Sequence, residues 1–233
     1  GKLVAAGESN NGTQNVFALV RYNTDGSLDT TFNTTGIVTT AIGDHDDDAY
    51  ALVIQSDGKL VVAGDSANDA FNDAFTLARY NTDGSLDTTF GTGGIATTTI
   101  GSVDSVVNAV ATQSDGKLVA VGYSGDGGNR FFTVARYNHD GSLDTAFGTG
   151  GIVPTPIGTV QALAIQPDGK LVAAGGGQDE FVLARYLGGL TITIPTGASL
   201  CAPDYNGTCA FSPNPLTITS GDSVVWSNTD GAI

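Results

Sequence analysis

Apolar positions along this chain come in short runs, and the runs recur in a fixed order. Between Ala51 and Ile100 they read ALVI from Ala51, KLVVAG from Lys59, FTLARY from Phe75 and IATTTI from Ile95. Each is rich in Val, Ile, Leu, Phe, Tyr or Thr and is bounded by Asp, Asn, Gly or Ser, the pattern of β-strands. None is long enough for an amphipathic helix, and no helical spacing is sustained. Ser56-Asp57-Gly58 separates the first two runs, and Ser114-Asp115-Gly116 separates their counterparts. Asp-Gly accepts the positive φ of a tight hairpin, so these two strands are expected to pair antiparallel.

QSDGKL at Gln55 returns at Gln113 and as QPDGKL at Gln166, while GKL already stands at Gly1. A second anchor, Arg-Tyr, falls at Arg21, Arg79, Arg136 and Arg185. Four strands in a unit of roughly 40–60 residues match a β-propeller blade, in which each unit buries its apolar face against the next. The expected fold class is therefore all-β, with propeller-type four-stranded repeats. The first copy opens at its second strand (2–7) and runs to Ile42. The second spans Tyr50 to Ile100, and the third about Val107 to Ile157. The fourth keeps 162–165, 170–175 and 181–186, after which Leu187-Gly188-Gly189 replaces Asn-X-Asp-Gly. The array starts one strand late and ends one strand short, so further blades upstream are expected in preference to a four-blade ring.

The elements DGKLVVAG, ARYN, DGSLDTTFG and GGI resemble the delta-60 repeats of bacterial and archaeal surface proteins. The resemblance covers residues 1–187. It implies a propeller and an extracellular or cell-surface setting, and it brings no catalytic residues. From Leu190 the vocabulary changes to LTITIP, a Cys-containing loop and LTITSGDSVVWSNTD. Residues 190–233 resemble the N-terminal half of a plastocyanin-like, cupredoxin β-sandwich through Ile194, Pro195, Gly197, Phe211, Pro213, Leu216, Gly221, Asp222, Val224, Trp226 and Asn228. An immunoglobulin-like sandwich is the alternative. In the cupredoxin family the first copper-ligand His follows that Asn within a few residues, and here Ile233 is reached before any His. Copper is expected only where such a domain is completed downstream.

Composition narrows the partners. The net charge is −15, from 24 acidic and 9 basic residues, and only Glu8 and Glu180 among the acids are glutamates. All four lysines (Lys2, Lys59, Lys117, Lys170) lie in GKL, and every arginine except Arg130 precedes a repeat Tyr. No basic patch is left for nucleic acid or anionic lipid, which excludes both as expected partners. No apolar stretch approaches the ~20 residues of a membrane helix, so membrane insertion is not expected. With no Met and no leader pattern, the chain reads as one whose start has been lost. Asn11, Asn33 and Asn206 open glycosylation sequons. Cys201 and Cys209 lie within one loop, where a disulfide fits an oxidising compartment and two free thiols are the alternative.

The repeated Asn-X-Asp-Gly-Ser-Leu-Asp loop is the best candidate site: Asn23, Asp25 and Asp29; Asn81, Asp83 and Asp87; Asn138, Asp140 and Asp144. Alternate oxygen ligands followed by Gly suit calcium. The other reading is Asx turn capping, with the last Asp receiving backbone N–H or the repeat arginine. Arg21, Arg79, Arg136 and Arg185 are expected to form structural ion pairs with an Asp of the Ser-Asp-Gly or the Asp-Gly-Ser-Leu-Asp turn, because a partly buried charge needs a partner. His45 reads as part of a solvated acidic loop, and His139 as surface variation. Neither has a nucleophile or acid partner in hydrolytic spacing. The expected function is non-enzymatic: structural, assembly or adhesion work with copies of itself, other envelope proteins or glycans. A copper electron-transfer protein is the alternative, and an enzyme using a propeller channel comes third.

Overall fold

The computed structural model describes residues 1–67, 72–177 and 180–186. Among them there are fourteen strands and no helix. Residues 190–233, where a cupredoxin half is expected, with Cys201, Cys209 and Asn206, lie outside the described residues.

The strands form four antiparallel sheets, each in chain order. The first blade is β1 (Leu3–Asn10), β2 (Asn15–Tyr22) and β3 (Ile37–Thr40). The second is β4 (Asp47–Ile54), β5 (Leu60–Ala67), β6 (Asp73–Tyr80) and β7 (Ile95–Thr98). The third is β8 (Ser105–Thr112), β9 (Leu118–Asp126), β10 (Asn129–Tyr137) and β11 (Ile152–Thr155), and the fourth is β12 (Thr159–Ile165), β13 (Leu171–Gly177) and β14 (Glu180–Tyr186). The blades converge along β4, β8 and β12. The strands begin earlier than the apolar runs, so Asp47 and Asp48 belong to β4 rather than to a solvated loop.

The Ser-Asp-Gly turn closes as expected. Gly58 N donates to Gln55 O (2.9 Å) and Gln55 N to Lys59 O (2.8 Å), with Gly58 at φ 84°. The glycine of GKLVVAG has a different cause. Each innermost strand bulges, between Ala49/Ala51, Val107/Ala109 and Val160/Ala162. The bulge presses a carbonyl against the next strand: a Cβ on Gly64 would stand 1.9 Å from Asp48 O, on Gly122 1.8 Å from Val106 O, and on Gly175 2.0 Å from Thr159 O. No side chain fits there.

Three apolar clusters join neighbouring blades. Phe17 and Leu19 of blade one pack with Leu60, Val62 and Tyr80 of blade two. Phe75 and Leu77 pack likewise with Leu118, Ala120 and Tyr137 of blade three, and Phe132 and Val134 with Leu171, Ala173 and Tyr186 of blade four. Each tyrosine hydroxyl reaches a threonine of the preceding blade: Tyr80 to Thr40 (2.8 Å), Tyr137 to Thr98 (3.0 Å) and Tyr186 to Thr155 (3.4 Å). Every interface thus repeats one pattern, an aromatic and an aliphatic residue of one blade entering the Leu/Tyr face of the next.

Candidate functional site

In the first three blades the repeat arginine stands on the strand before the Asn-X-Asp-Gly loop (β2, β6 and β10), and the chain then folds back so that the Asp eight residues on lies beside it. Arg21 Nε donates to Asp29 Oδ2 at 2.5 Å, Arg79 Nε to Asp87 Oδ2 at 2.7 Å and Arg136 Nε to Asp144 Oδ2 at 2.8 Å. The GKL lysine of the same blade donates to the same oxygen: Lys2 at 2.6 Å, Lys59 at 2.7 Å and Lys117 at 2.7 Å. Each guanidinium also stacks on the Phe that ends the loop, Arg21 on Phe32 (4.5 Å), Arg79 on Phe90 (4.6 Å) and Arg136 on Phe147 (4.5 Å). Its Nη1 crosses to the next blade, from Arg21 to Thr82 O (2.6 Å) and from Arg79 to His139 O (2.5 Å). One Asp thus collects a Lys and an Arg, and the Arg ties two blades together.

The electrostatics follow. The hydrogen bonds from Lys2 and Thr31 hold the Asp29 carboxyl well below the usual range. Burial pushes Asp87 up, but the Lys59 and Thr89 hydrogen bonds outweigh it and leave it far below the usual range. Lys117 is the chief cause of the lowered Asp144, acting against burial. Blade four departs from the pattern. Its sequence has no counterpart of Asp29 after Arg185, and Lys170 pairs with Asp168 in its own turn.

The other loop residues cap turns. Asp25 Oδ1 accepts from Ser27 N (3.0 Å) and Ser27 Oγ (2.6 Å), and Asp83 with Ser85 and Asp140 with Ser142 repeat the arrangement. The serine hydroxyl is the main cause of their lowered pKa. Asn23, Asn81 and Asn138 donate through Nδ2 to Ser27, Ser85 and Ser142 and to the next carbonyl. At least one oxygen of each of these loop aspartates is therefore engaged with a donor of the protein. Among the described residues no group of three or more His, Cys, Asp or Glu is arranged to hold a metal ion.

Asn11 and Asn33 are exposed, but Asn33 Nδ2 donates to Ile37 O at 2.9 Å. His139 is more than surface variation, since its Nε2 lies 2.7 Å from Asp115 O while its carbonyl accepts from Arg79. The acidic run is also built in. Asp47 is fully buried and accepts from the Ile42 and Gly43 N–H groups, and Asp46 accepts from Asn15 N at 2.7 Å.

A second feature is absent from the recurring motifs. Where the inner ends of blades one to three meet, a cavity of about 650 Å³ is lined by Asp48 and Tyr50 of β4, Asp65 of β5, Asp73 of β6, Asn108 of β8 and Tyr123 of β9, with the loop 44–46 at its edge. Asp65 lies directly across the strand pair from Asp48, a like-charge pairing that destabilises a sheet. Burial, then repulsion from Asp73, Asp48, Asp104 and Asp47, pushes Asp65 up to about 8. Burial likewise raises Asp73, with Asp104 and Asp48 adding to it. One sequence signal could have found this cavity: the residue after the repeat glycine is Glu8, Asp65, Tyr123 or Gly176 in the four copies, varying directly after a glycine that all four share.

Chain-ordered antiparallel sheets, bulged along the strands where they converge and joined by one repeated interface, define a β-propeller repeat protein. The chain belongs to the family described as "Domain of unknown function (DUF5122) beta-propeller", which matches residues 1–32, 55–90, 113–147 and 166–189, more than half of its length. The first three matched stretches each contain one Lys, Arg, Asp and Phe of a clamp and end at Phe32, Phe90 and Phe147. No curated protein matches the chain.

Proposed function

We propose that the chain is a non-enzymatic structural module of an extracellular or cell-surface assembly, meeting other proteins or glycans through its repeated loops. The observation that supports this reading most is the three-fold Lys–Asp–Arg clamp. It spends the reactive groups of each loop on holding the blade and its neighbour. What remains outward are repeated Asp and Ser side chains, Asp25 and Ser27, Asp83 and Ser85, and Asp140 and Ser142, while Gly84 and Gly141 between them are buried against the preceding blade. Alike, rigid, evenly spaced surfaces suit multivalent contact, in which weak individual contacts sum to avidity. Labelling intact producing cells with a membrane-impermeant amine reagent tests the location. Labelling of this chain before lysis is expected, and labelling only after lysis would overturn the reading. Chemical cross-linking on the same cells should then yield adducts with envelope proteins or with further copies.

A further inference from the structure

The cavity between the inner strands holds a carboxylate oxygen, Asp65 Oδ1, that no donor among the described residues reaches. Asp65 is 4% exposed, and its Oδ1 has no hydrogen-bond partner among the described residues. A buried acceptor in this state costs free energy, and its neighbours worsen the cost. Asp48 stands across the strand pair, while Asp47, Asp73 and Asp104 add further repulsion. The clamps show the same chain supplying both a Lys and an Arg to Asp29, Asp87 and Asp144. At Asp65 it supplies neither.

We infer that this cavity binds a small organic cation carrying an ammonium group, received by Asp65 in a charge-assisted hydrogen bond. Asp48 and Asp73 are the flanking acceptors, and Tyr50 and Tyr123 the aromatic wall. Asn108 donates through Nδ2 to Val160 O at 2.6 Å, which fixes the amide and leaves its oxygen as an acceptor. The carboxylates are spread around about 650 Å³, and among the described residues they are not gathered for a metal ion. That distribution suits an extended organic cation, since a bare ion needs its oxygens drawn in to within about 2.6 Å. Ammonium groups also bind the faces of aromatic rings. Tyr50 is 52% exposed, and Tyr123 already carries the Arg130 guanidinium 4.3 Å from its ring centroid.

Binding is linked to protons. The charged and titratable groups that line the cavity or act on Asp65 are Asp44, His45 and Asp46 in the loop before β4, Asp47, Asp48 and Tyr50 from β4, Asp73 from β6, Asp104 before β8, and Tyr123 from β9 with Arg130 on its ring. In this surrounding Asp65 holds its proton up to about pH 8. An arriving ammonium displaces that proton, so affinity rises with pH as long as the amine stays charged.

The inference does not depend on the assembly reading, and its test does not touch cell location. The intact chain is titrated calorimetrically with cadaverine, with pentanediol as the neutral analogue and calcium chloride as the point cation. One cadaverine per chain is expected, bound roughly tenfold more tightly at about pH 8.5 than at about pH 6, with proton release. Pentanediol should not bind. Asp65→Asn, nearly the same shape and checked for folding by circular dichroism, should weaken binding roughly tenfold or more at the higher pH. Tyr50→Ala, at an exposed position, should weaken it several-fold. Equal affinity for the parent and Asp65→Asn chains, binding of pentanediol as tight as cadaverine, or a preference for calcium would each overturn the inference.

Discussion

Asp87 and Asp65 belong to the same blade and are equally hidden, each 4% exposed, yet the protein treats them in opposite ways. Asp87 receives Lys59 and Arg79 and is held ionised far below the usual carboxylate range. Asp65 faces Asp48 across the sheet, collects no cation, and keeps its proton up to about pH 8. Burial raises both; what separates them is whether positive charge answers the burial. In the clamp the surrounding residues make the charge part of the structure. In the cavity they leave it unanswered, which is a cost to the fold and an opening for a ligand.

The strongest way to break this contrast is to remove the answering charge. Arg79→Leu leaves Asp87 with Lys59 alone, and also removes the stack on Phe90 and the tie to His139 O. A loss of about 3 kcal/mol is expected in urea unfolding, as for a buried pair deprived of one partner. A loss below about 0.5 kcal/mol would mean that the pair is effectively solvated.

The second change has the opposite sign. Asp65 has a folded pKa of about 8, above its unfolded value of 3.8, so the folded state holds a proton that the unfolded state gives up. Stability from this group is full below about pH 4 and falls as pH rises toward about 8, by up to about 1.4 kcal/mol per pH unit. Asp65→Asn should therefore stabilise the chain by about 2 kcal/mol at about pH 8, and flatten the slope across that window. A destabilised variant would show that Asp65 is ionised and satisfied after all.

Lys59→Met should cost less, about 1 kcal/mol, because Arg79 remains on Asp87 and the lysine is partly solvated. The clamp carboxylates have the depressed-pKa sign. Their contribution is full above the unfolded value of 3.8 and is lost as pH falls below it, so Lys59→Met should reduce the acid sensitivity of unfolding. Asp83→Ala, in an exposed turn, should have the smallest effect of the four. The same unfolding curves serve as the check, and a loss as large as that of Arg79→Leu would place Asp83 in the structural clamp.

How far the sequence reveals these two regions depends on how local their causes are. The strands and the Ser-Asp-Gly hairpins are legible because alternation and turn chemistry act within a few residues. The arginine–aspartate pair is legible from its equal numbers, but the aspartates of two turns per copy compete for it. The structure selects Asp29, Asp87 and Asp144, while Asp57 and Asp115 cap the backbone N–H of Lys59 and Lys117 in their own turns. The lysine is the hidden third member, because it reaches its Asp only after the loop folds back. The cavity escapes for a different reason. Asp48, Tyr50 and Asn108 fall between the stretches matched by the family, and Asp65 and Tyr123 occupy the one position where GKLV-x-x-G stops repeating. Attention to what recurs passes over it.

The chain order of every sheet has a mechanical and kinetic consequence. Each strand pairs with its sequence neighbour, and each blade packs on the blade beside it, so contacts stay within one blade or reach the next along the chain. Loop closure then spans about one repeat at each step, and its entropic cost grows only slowly with that length. Such a chain can nucleate at any hairpin and grow outward. Under tension it should yield in a series of alike steps rather than one, a saw-tooth whose teeth are the blades.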